Sequence, residues 1–241
     1  MINLFISDLH LDESQPQIAA IFFKFMQQEA RAANALYILG DFFEAWIGDD
    51  DLTDFHREVI ASLRAATDAG LPIYIMHGNR DFLLGKRFLR GTGCKLLPDE
   101  HVVKLGGEPT LLMHGDTLCT ADTAYLKFRK RSRNWFFQKI FLFKSLKKRQ
   151  LVAANMRAKS KLHTSNAPQY IMNVTLEEVT RVMKKHKVKR LIHGHTHRQA
   201  VHPLLLDGRP ATRTVLAPWH EHGSVLICDD GSQVFKDLLS D

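Results

Sequence analysis

The sequence predicts an α/β protein built around a largely parallel sheet. Short apolar runs bounded by turn residues recur along the first two hundred positions, and segments of helical periodicity lie between several of them. The chain then changes character: near its end, β-rich runs follow one another with no helical pattern between.

Strands are expected at 2–7 (INLFIS), 36–39 (LYIL), 73–76 (IYIM), 110–113 (TLLM) and 190–192 (RLI). Residues 16–33 open on Pro16 near a first helical turn and space Ile18, Ile21, Phe22, Phe25 and Met26 along one helical face. A second helix is expected from about Asp54 to Ala69, with Gly70 and Leu71-Pro72 as its stop signal. "TRTVL" (212–216) and "SVLIC" (224–228) read as an antiparallel pair completing a second sheet. There is no internal repeat and no Pro/Gly/Ser linker, so residues 1–241 are expected to form one domain with an insertion at about 122–170.

With 45% apolar and 24% charged residues the chain has the composition of a globular protein with a sizeable core. Cys94, Cys119 and Cys228 are odd in number and far apart, which favours neither a disulfide framework nor a thiolate zinc site and fits a reducing cytoplasm. Asp8 and His10 interrupt the apolar start before an export signal could form, and no stretch approaches the ~18 apolar residues of a membrane span. The net charge of +7 is concentrated: residues 123–176 hold 13 Lys and Arg and no acid, leaving 20 basic against 26 acidic residues elsewhere.

Each expected strand runs into metal-competent side chains: Asp8-Leu9-His10, Gly40-Asp41, Gly78-Asn79-Arg80-Asp81, His114-Gly115-Asp116 and His193-Gly194-His195-Thr196-His197. Any one of these is an ordinary turn. Five in succession at strand ends are expected to converge, because the ligand crevice of an α/β sheet lies outside the carboxyl ends of its strands. Carboxylate, imidazole and amide donors without thiolate suit Mn²⁺, Fe²⁺, Zn²⁺ or Mg²⁺, and the several imidazoles argue against Ca²⁺ and against Mg²⁺ alone. The donors exceed the needs of one ion, so two ions sharing a carboxylate and acidifying a water are expected. His77, His101, His186 and His202 are expected in structural roles.

The ordered set D-x-H, G-D, G-N-R-D, H and G-H-x-H, from Asp8 to His197, resembles the signature of the calcineurin-like metallophosphoesterases. The resemblance implies a four-layer α/β/β/α sandwich of two mixed sheets with a helical lid insertion. It implies that Asp8, His10 and His197 hold one metal, that Asn79, His114 and His195 hold the other, and that Asp41 bridges. Most members carry histidine where this chain has Arg80, placed to protonate an alkoxide leaving group. Arginine, with a pKa above about 12, cannot do that, but it can grip phosphate oxygens bidentately. A phosphate leaving group, with a second pKa near ~6, needs no proton, so diphosphate cleavage is expected. Asp81 is expected to orient a neighbour.

"SDLHL", "LYILGDFFEAWIGDDD", "HGNRDFLLGKRF", "LLPDE", "HGDTLCTAD" and "LIHGHTHR" are similar, over nearly the whole chain, to a pyrophosphatase family of lipid A biosynthesis. That family hydrolyses UDP-2,3-diacylglucosamine by water attack on the α-phosphorus and lies peripherally on the cytoplasmic face of the inner membrane of Gram-negative bacteria. The resemblance implies catalytic roles for Asp41, Asn79, Arg80 and His195, and a Mn²⁺ pair as cofactor. It implies substrate binding by Asn79, Arg80, Asp122, Arg157, Ser160 and His195, and at Thr164 and Ala167, which stand where the family has Asn and Lys.

In the acid-free segment, basic residues alternate with Trp135, Phe136, Phe137, Ile140, Phe141, Leu142 and Phe143, a mixture suited to an anionic bilayer surface. Leu151, Val152 and Met156 are expected inside a helical pair. Asp49–Asp51 are expected to cap a helix, and Trp46 to lie in the core or the cleft wall. The expected partners are a nucleotide-sugar lipid and the membrane, with no nucleic acid and no obligate protein. The rival readings are a two-metal nuclease or phosphodiesterase, which Arg80 disfavours, and a non-catalytic scaffold, which an unbroken ligand set disfavours.

Overall fold

The computed structural model describes residues 1–166 and 173–239, with 161–166 described as helical backbone only. In chain order its elements are β1 (Asn3–Ile6), α1 (Pro16–Gln27), β2 (Ala35–Ile38), α2 (Asp54–Asp68), β3 (Ile73–Ile75), α3 (Lys86–Thr92) and β4 (Lys95–Leu96). There follow β5 (His101–Leu105), β6 (Glu108–Met113), α4 (Thr123–Ser132), α5 (Trp135–Leu142), α6 (Leu146–Asn166) and α7 (Leu176–Lys185). The last are β7 (Arg190–His193), β8 (Ala200–Leu206), β9 (Arg209–Val215), β10 (Gly223–Asp229) and β11 (Ser232–Leu238).

The strands form two mixed sheets, ordered β11-β10-β1-β2-β3-β4 and β5-β6-β7-β9-β8. In the first, β1, β2, β3 and β4 run parallel to one edge and the antiparallel β10 and β11 follow on the other side; in the second, the parallel β6, β7 and β9 are flanked by the antiparallel β5 and β8. The expected pairing of 212–216 with 224–228 does not occur. β9 lies in the second sheet between β7 and β8, whereas β10 crosses to the first and pairs with β1. A β-rich run shows that it forms a strand but not which edge will take it.

Side chains alternate across each strand, and both faces of both sheets are covered. Leu4 and Ile6 of β1, with Leu36, Ile38, Ile73 and Ile75, face α1, α2 and α3 and pack on Phe22, Phe25, Val59, Leu63 and Phe88. Phe5 points the other way and joins Tyr37, Met76, Leu112 and Ile192 between the sheets. There Phe5 stacks on Tyr37 at 4.8 Å, and Tyr37 on Tyr74 at 5.0 Å. Leu111, Met113 and Leu191 face outward to Val179, Val182 and Met183 of α7. Three apolar interlayers separate four layers, helix on sheet on sheet on helix.

α1 begins on Pro16 and buries Ile18, Ile21, Phe22, Phe25 and Met26, the face its spacing predicts. It stops at Gln27, and a 3₁₀ turn takes up Ala30–Ala32. Trp46 belongs to the core beneath it, and its indole N–H donates to Asp49 Oδ1. Asp49 caps a helix, although a distant one: its two oxygens accept the backbone N–H groups of Gly85, Arg87 and Phe88 at the start of α3. Asp50 accepts from the guanidinium of Arg149, a buried residue of α6 that also donates to the Ile47 carbonyl.

The segment α4–α6 follows the fourth of the clusters at the strand ends. Trp135, Phe136, Phe137, Ile140, Leu142 and Phe143 are exposed, Phe143 at 96%. Phe141 departs from the expectation for this stretch: it is half-buried and packs on the core beneath α1–α3, because its side of α5 faces inward. Leu151 and Met156 depart in the other sense. They are exposed, and Val152 is half-buried, since the buried contact of α6 is made by Arg149.

Asp49 satisfies four donors that would otherwise be unpaired in or beside the core. Asp49→Ala is expected to lower the free energy of unfolding by about 2 kcal/mol. The measurement is a lower urea midpoint at unchanged slope, and a midpoint equal to the parent's contradicts the cap.

Candidate metal centre

The clusters at the strand ends meet because the loops that carry them are hydrogen-bonded to one another. After β1 and β2 the chain continues as a short parallel ladder: Asp8 N donates to Gly40 O, His10 N to Asp41 O and Leu11 N to Phe42 O, with a bridge at Leu11–Phe43. Asp81 ties in the loop after β3, its carboxylate accepting from Gly78 N and Phe42 N at 2.7 Å each. This is the orienting role its position suggested, directed at backbone rather than at a side chain.

The approach is close. A methyl group on Gly78 would lie 2.1 Å from both the backbone nitrogen and Oδ1 of Asp41, and one on Gly194 would lie 2.3 Å from Asp8 Oδ2. Asp8, His10, Asp41, His195 and His197 all adopt left-handed backbone, with φ between 49° and 68°. Such conformations cost of order 1–3 kcal/mol each in a side-chain-bearing residue and persist where the surroundings fix them.

Two groups of donor atoms result, one from Asp8, His10 and His197 and one from Asp41, His114 and His195, the atoms within each lying within 4.8 Å of one another. Asn79 joins the second group: its Oδ1 lies 3.0 Å from His114 Nε2 and 2.9 Å from His195 Nδ1. Asp41 Oδ2 stands between the groups, 3.9 Å from His10 Nε2 and 3.8 Å from His114 Nε2. All seven positions expected to hold metal are therefore at one place.

The surroundings fit a cation. Asp8 Oδ1 is buried without a hydrogen bond from any described residue and faces His197 Nε2 at 3.3 Å. His10 Nε2 and His197 Nε2 point at one another across 3.4 Å. His114 Nδ1 donates to the Leu39 carbonyl, which leaves Nε2 with its lone pair toward the site. Burial would raise the Asp8 carboxyl, but His197, His114 and His10 outweigh it and hold it well below the ordinary range. Burial keeps the Asp41 carboxyl above its ordinary value, with Asp81 and Asp8 acting in the same direction against His114 and His10. Burial, with His114 nearby, pushes His195 down to about 4, so it is a neutral donor at neutral pH.

The other expected positions surround this centre. Arg80 donates its backbone N–H to Asp41 Oδ1, and its guanidinium lies 3.5 Å from Glu44. Arg157 of α6 is near enough to Glu44 to help hold that carboxyl low, after His10 and Arg80, against burial. Asp122 caps α4 by accepting from Tyr125 N. Ser160 lies one turn beyond Arg157 on α6. Of Thr164 only the backbone is described, and Ala167 lies outside the described residues. Asp116 does not join the donor groups: it is buried against Arg129 and Tyr125, and Tyr125 in turn stacks on His195 at 6.2 Å. His77 and His186 have the structural roles expected, bound to the Leu84 carbonyl and Glu100.

Three polar residues went unrecognised in the sequence: Glu44, Tyr125 and Arg133, whose guanidinium donates to the Gly78 carbonyl. None sits in a glycine-flanked cluster at a strand end. The available signal for Glu44 was its place three residues after Asp41.

A family model described as calcineurin-like phosphoesterase matches residues 3–199, which span all seven donors. The chain belongs to that family. Among curated members of the calcineurin-like phosphoesterases, the chain is similar to a UDP-2,3-diacylglucosamine hydrolase of Enterobacter sp. (strain 638), 53% identical over 98% of this chain and 99% of that one. Proteins of the same name from Escherichia coli O7:K1 and Shigella boydii serotype 18 are each 52% identical over 94% of both chains. The family implies divalent metal ions, and the two donor groups are where this member could bind them.

The tightest point of the site is Gly78 against Asp41. Gly78→Ala is expected to displace Asp41 and lower both metal content and phosphoesterase activity by about 100-fold, the usual effect of misplacing a group by ~1 Å. Elemental analysis and activity assay of folded protein check this, and retention of both would show that the loops yield.

Proposed function

We propose that this protein hydrolyses the diphosphate of UDP-2,3-diacylglucosamine. The oxygen of water bonds to the α-phosphorus, the bond from that phosphorus to the bridging oxygen breaks, and the products are UMP and 2,3-diacylglucosamine 1-phosphate of the lipid A route. The observation that carries the reading is Arg80 at the rim of seven converging metal donors, a guanidinium where a proton donor would serve an alcohol leaving group. The names of the relatives support the same substrate.

In this reading Asp8, His10 and His197 would hold one ion, Asn79, His114 and His195 the other, and Asp41, which stands between the two groups, would serve both. Mn²⁺ is the proposed metal, since the donors mix carboxylate and amide oxygen with imidazole. When bound, an ion pair supplies an acidified water and positive charge at the reacting phosphoryl group. Arg80 grips the diphosphate oxygens, Asn79 and His195 face the same phosphoryl group, and Asp41 keeps the loops in register through Arg80 N. The departing phosphate leaves as an anion, so no residue needs to protonate it. Arg157 and Ser160, with Asp122 at the base of α4 and Thr164 and Ala167 farther along, form the proposed substrate side of the cleft.

We take α4–α6 as a lid inserted into a single domain, with its exposed aromatic tip resting on the cytoplasmic face of the inner membrane. No described helix is long and apolar enough to cross a membrane. The tip supports surface attachment, because Trp135, Phe136 and Phe143 stand exposed beside Lys139 and Lys144. Neither nucleic acid nor an obligate protein partner enters this scheme.

Incubation with Mn²⁺ and UDP-2,3-diacylglucosamine in ¹⁸O-water is expected to give UMP carrying the label and unlabelled lipid phosphate, and chelation is expected to abolish the reaction. Label in the lipid phosphate would place attack on the β-phosphorus, and absence of turnover would overturn the assignment. Phe136→Ser combined with Phe143→Ser is expected to weaken binding to anionic vesicles by about tenfold or more while metal content is unchanged. Unaltered vesicle binding rejects the membrane-facing tip.

A further inference from the structure

Glu44 lies beside two parts of the site, the imidazole of His10 and the guanidinium of Arg80. Its Oε2 is 3.1 Å from His10 Nδ1, and its Oε1 is 3.5 Å from the Arg80 guanidinium. His10 Nδ1 is buried with no hydrogen bond to any described group, and Glu44 Oε2 at 3.1 Å is an acceptor within its reach. The backbone fixes Glu44 in this place from both sides: Glu44 N donates to Leu11 O, next to His10, and Trp46 N donates to Arg80 O. The carboxylate is about a quarter exposed, as is the guanidinium of Arg80 beside it.

We propose that Glu44 is a positioning residue acting on both halves of the reaction centre. Through Oε2 it retains the proton on His10 Nδ1 and so turns the lone pair of Nε2 toward the ion held with Asp8 and His197. A metal-bound imidazole commonly has such an acceptor behind it, and loss of that acceptor weakens ion binding. Through Oε1 it holds Arg80 at the rim in the free protein, so the guanidinium meets the diphosphate already placed. Arginine bears a long side chain with considerable rotamer freedom, and an unsupported one would have to be ordered by the substrate. One carboxylate thus sets both the ion affinity of one site and the readiness of the phosphate grip.

The inference rests on the two-ion, Arg80-grip reading given above, and its test separates the two. Glu44→Gln keeps an amide oxygen able to accept from His10 Nδ1 but loses the charge that holds Arg80, whereas Glu44→Ala loses both. Glu44→Ala is expected to weaken the weaker Mn²⁺ by about 10–100-fold in equilibrium dialysis, with Glu44→Gln within about threefold of the parent. At saturating Mn²⁺ both variants are expected to raise KM for the nucleotide lipid roughly fivefold with a smaller change in kcat. In an Arg80→Ala background the KM effect of Glu44→Gln should vanish, because its partner is gone. The proposal is overturned if Glu44→Ala binds Mn²⁺ as the parent does, or if the Glu44→Gln effect on KM persists undiminished without Arg80. Should the parent bind no ion, or Arg80→Ala leave turnover unchanged, the underlying reading fails, and the role of Glu44 with it.

Discussion

The arrangement of the centre depends on the contact between the loops after β2 and β3, where Gly78 lies against Asp41 with no room for a side-chain atom. That contact lets Asp81 accept from the backbone of both loops and puts Asp41 Oδ1 under the N–H of Arg80. Asp41 Oδ2 is then free to face imidazoles from both sheets. The left-handed turns at Asp8, His10, Asp41, His195 and His197 are affordable only in this framework, since hydrogen bonds from neighbouring loops hold each loop in place.

The same framework explains the mixed electrostatics of the site. Two buried carboxylates and four imidazoles are gathered at one place, and the carboxylates respond in opposite senses: Asp8 is held ionised by the histidines, while Asp41 is raised by burial and by its fellow acids. Farther out, Asp116, Arg129 and Asp99 form a charged strut that keeps α4 against the centre, so Tyr125 reaches His195. On the opposite side Arg149 ties α6 to the loop of Asp50. The segment expected to form a lid is thus anchored at both of its described flanks by guanidinium groups, half-buried Arg129 and buried Arg149, while of its aromatic tip Phe141 alone among the residues named above packs on the core.

Much of this was legible in the sequence, for reasons that follow from local physics. Leu4, Ile6, Leu36, Ile38, Ile73 and Ile75 announce strands because alternate side chains enter apolar layers on both faces. The seven donors stood out because each follows such a strand, often beside glycine. What failed to show depended on pairing at a distance. Nothing in "SVLIC" says that it will cross to β1 rather than pair with "TRTVL". Nothing around Phe141 distinguishes it from Phe143, since one turn of α5 separates inward from outward. Glu44 belongs to no cluster that the sequence marks out, and the parallel ladder between two loops brings it beside His10.

The closure of the first sheet has a consequence for how the molecule is made. β1 pairs with β10, and Trp219 N donates to the carbonyl of Asp8, so a strand that is made early receives its second neighbour only after all the other strands but β11 have been made. Until β10 is made β1 has an open edge, and for most of that time the growing chain presents Asp8 and His10 without His195 and His197. Capture of an ion pair therefore waits on the segment of His195 and His197, and a chain ended before it lacks one donor of each group.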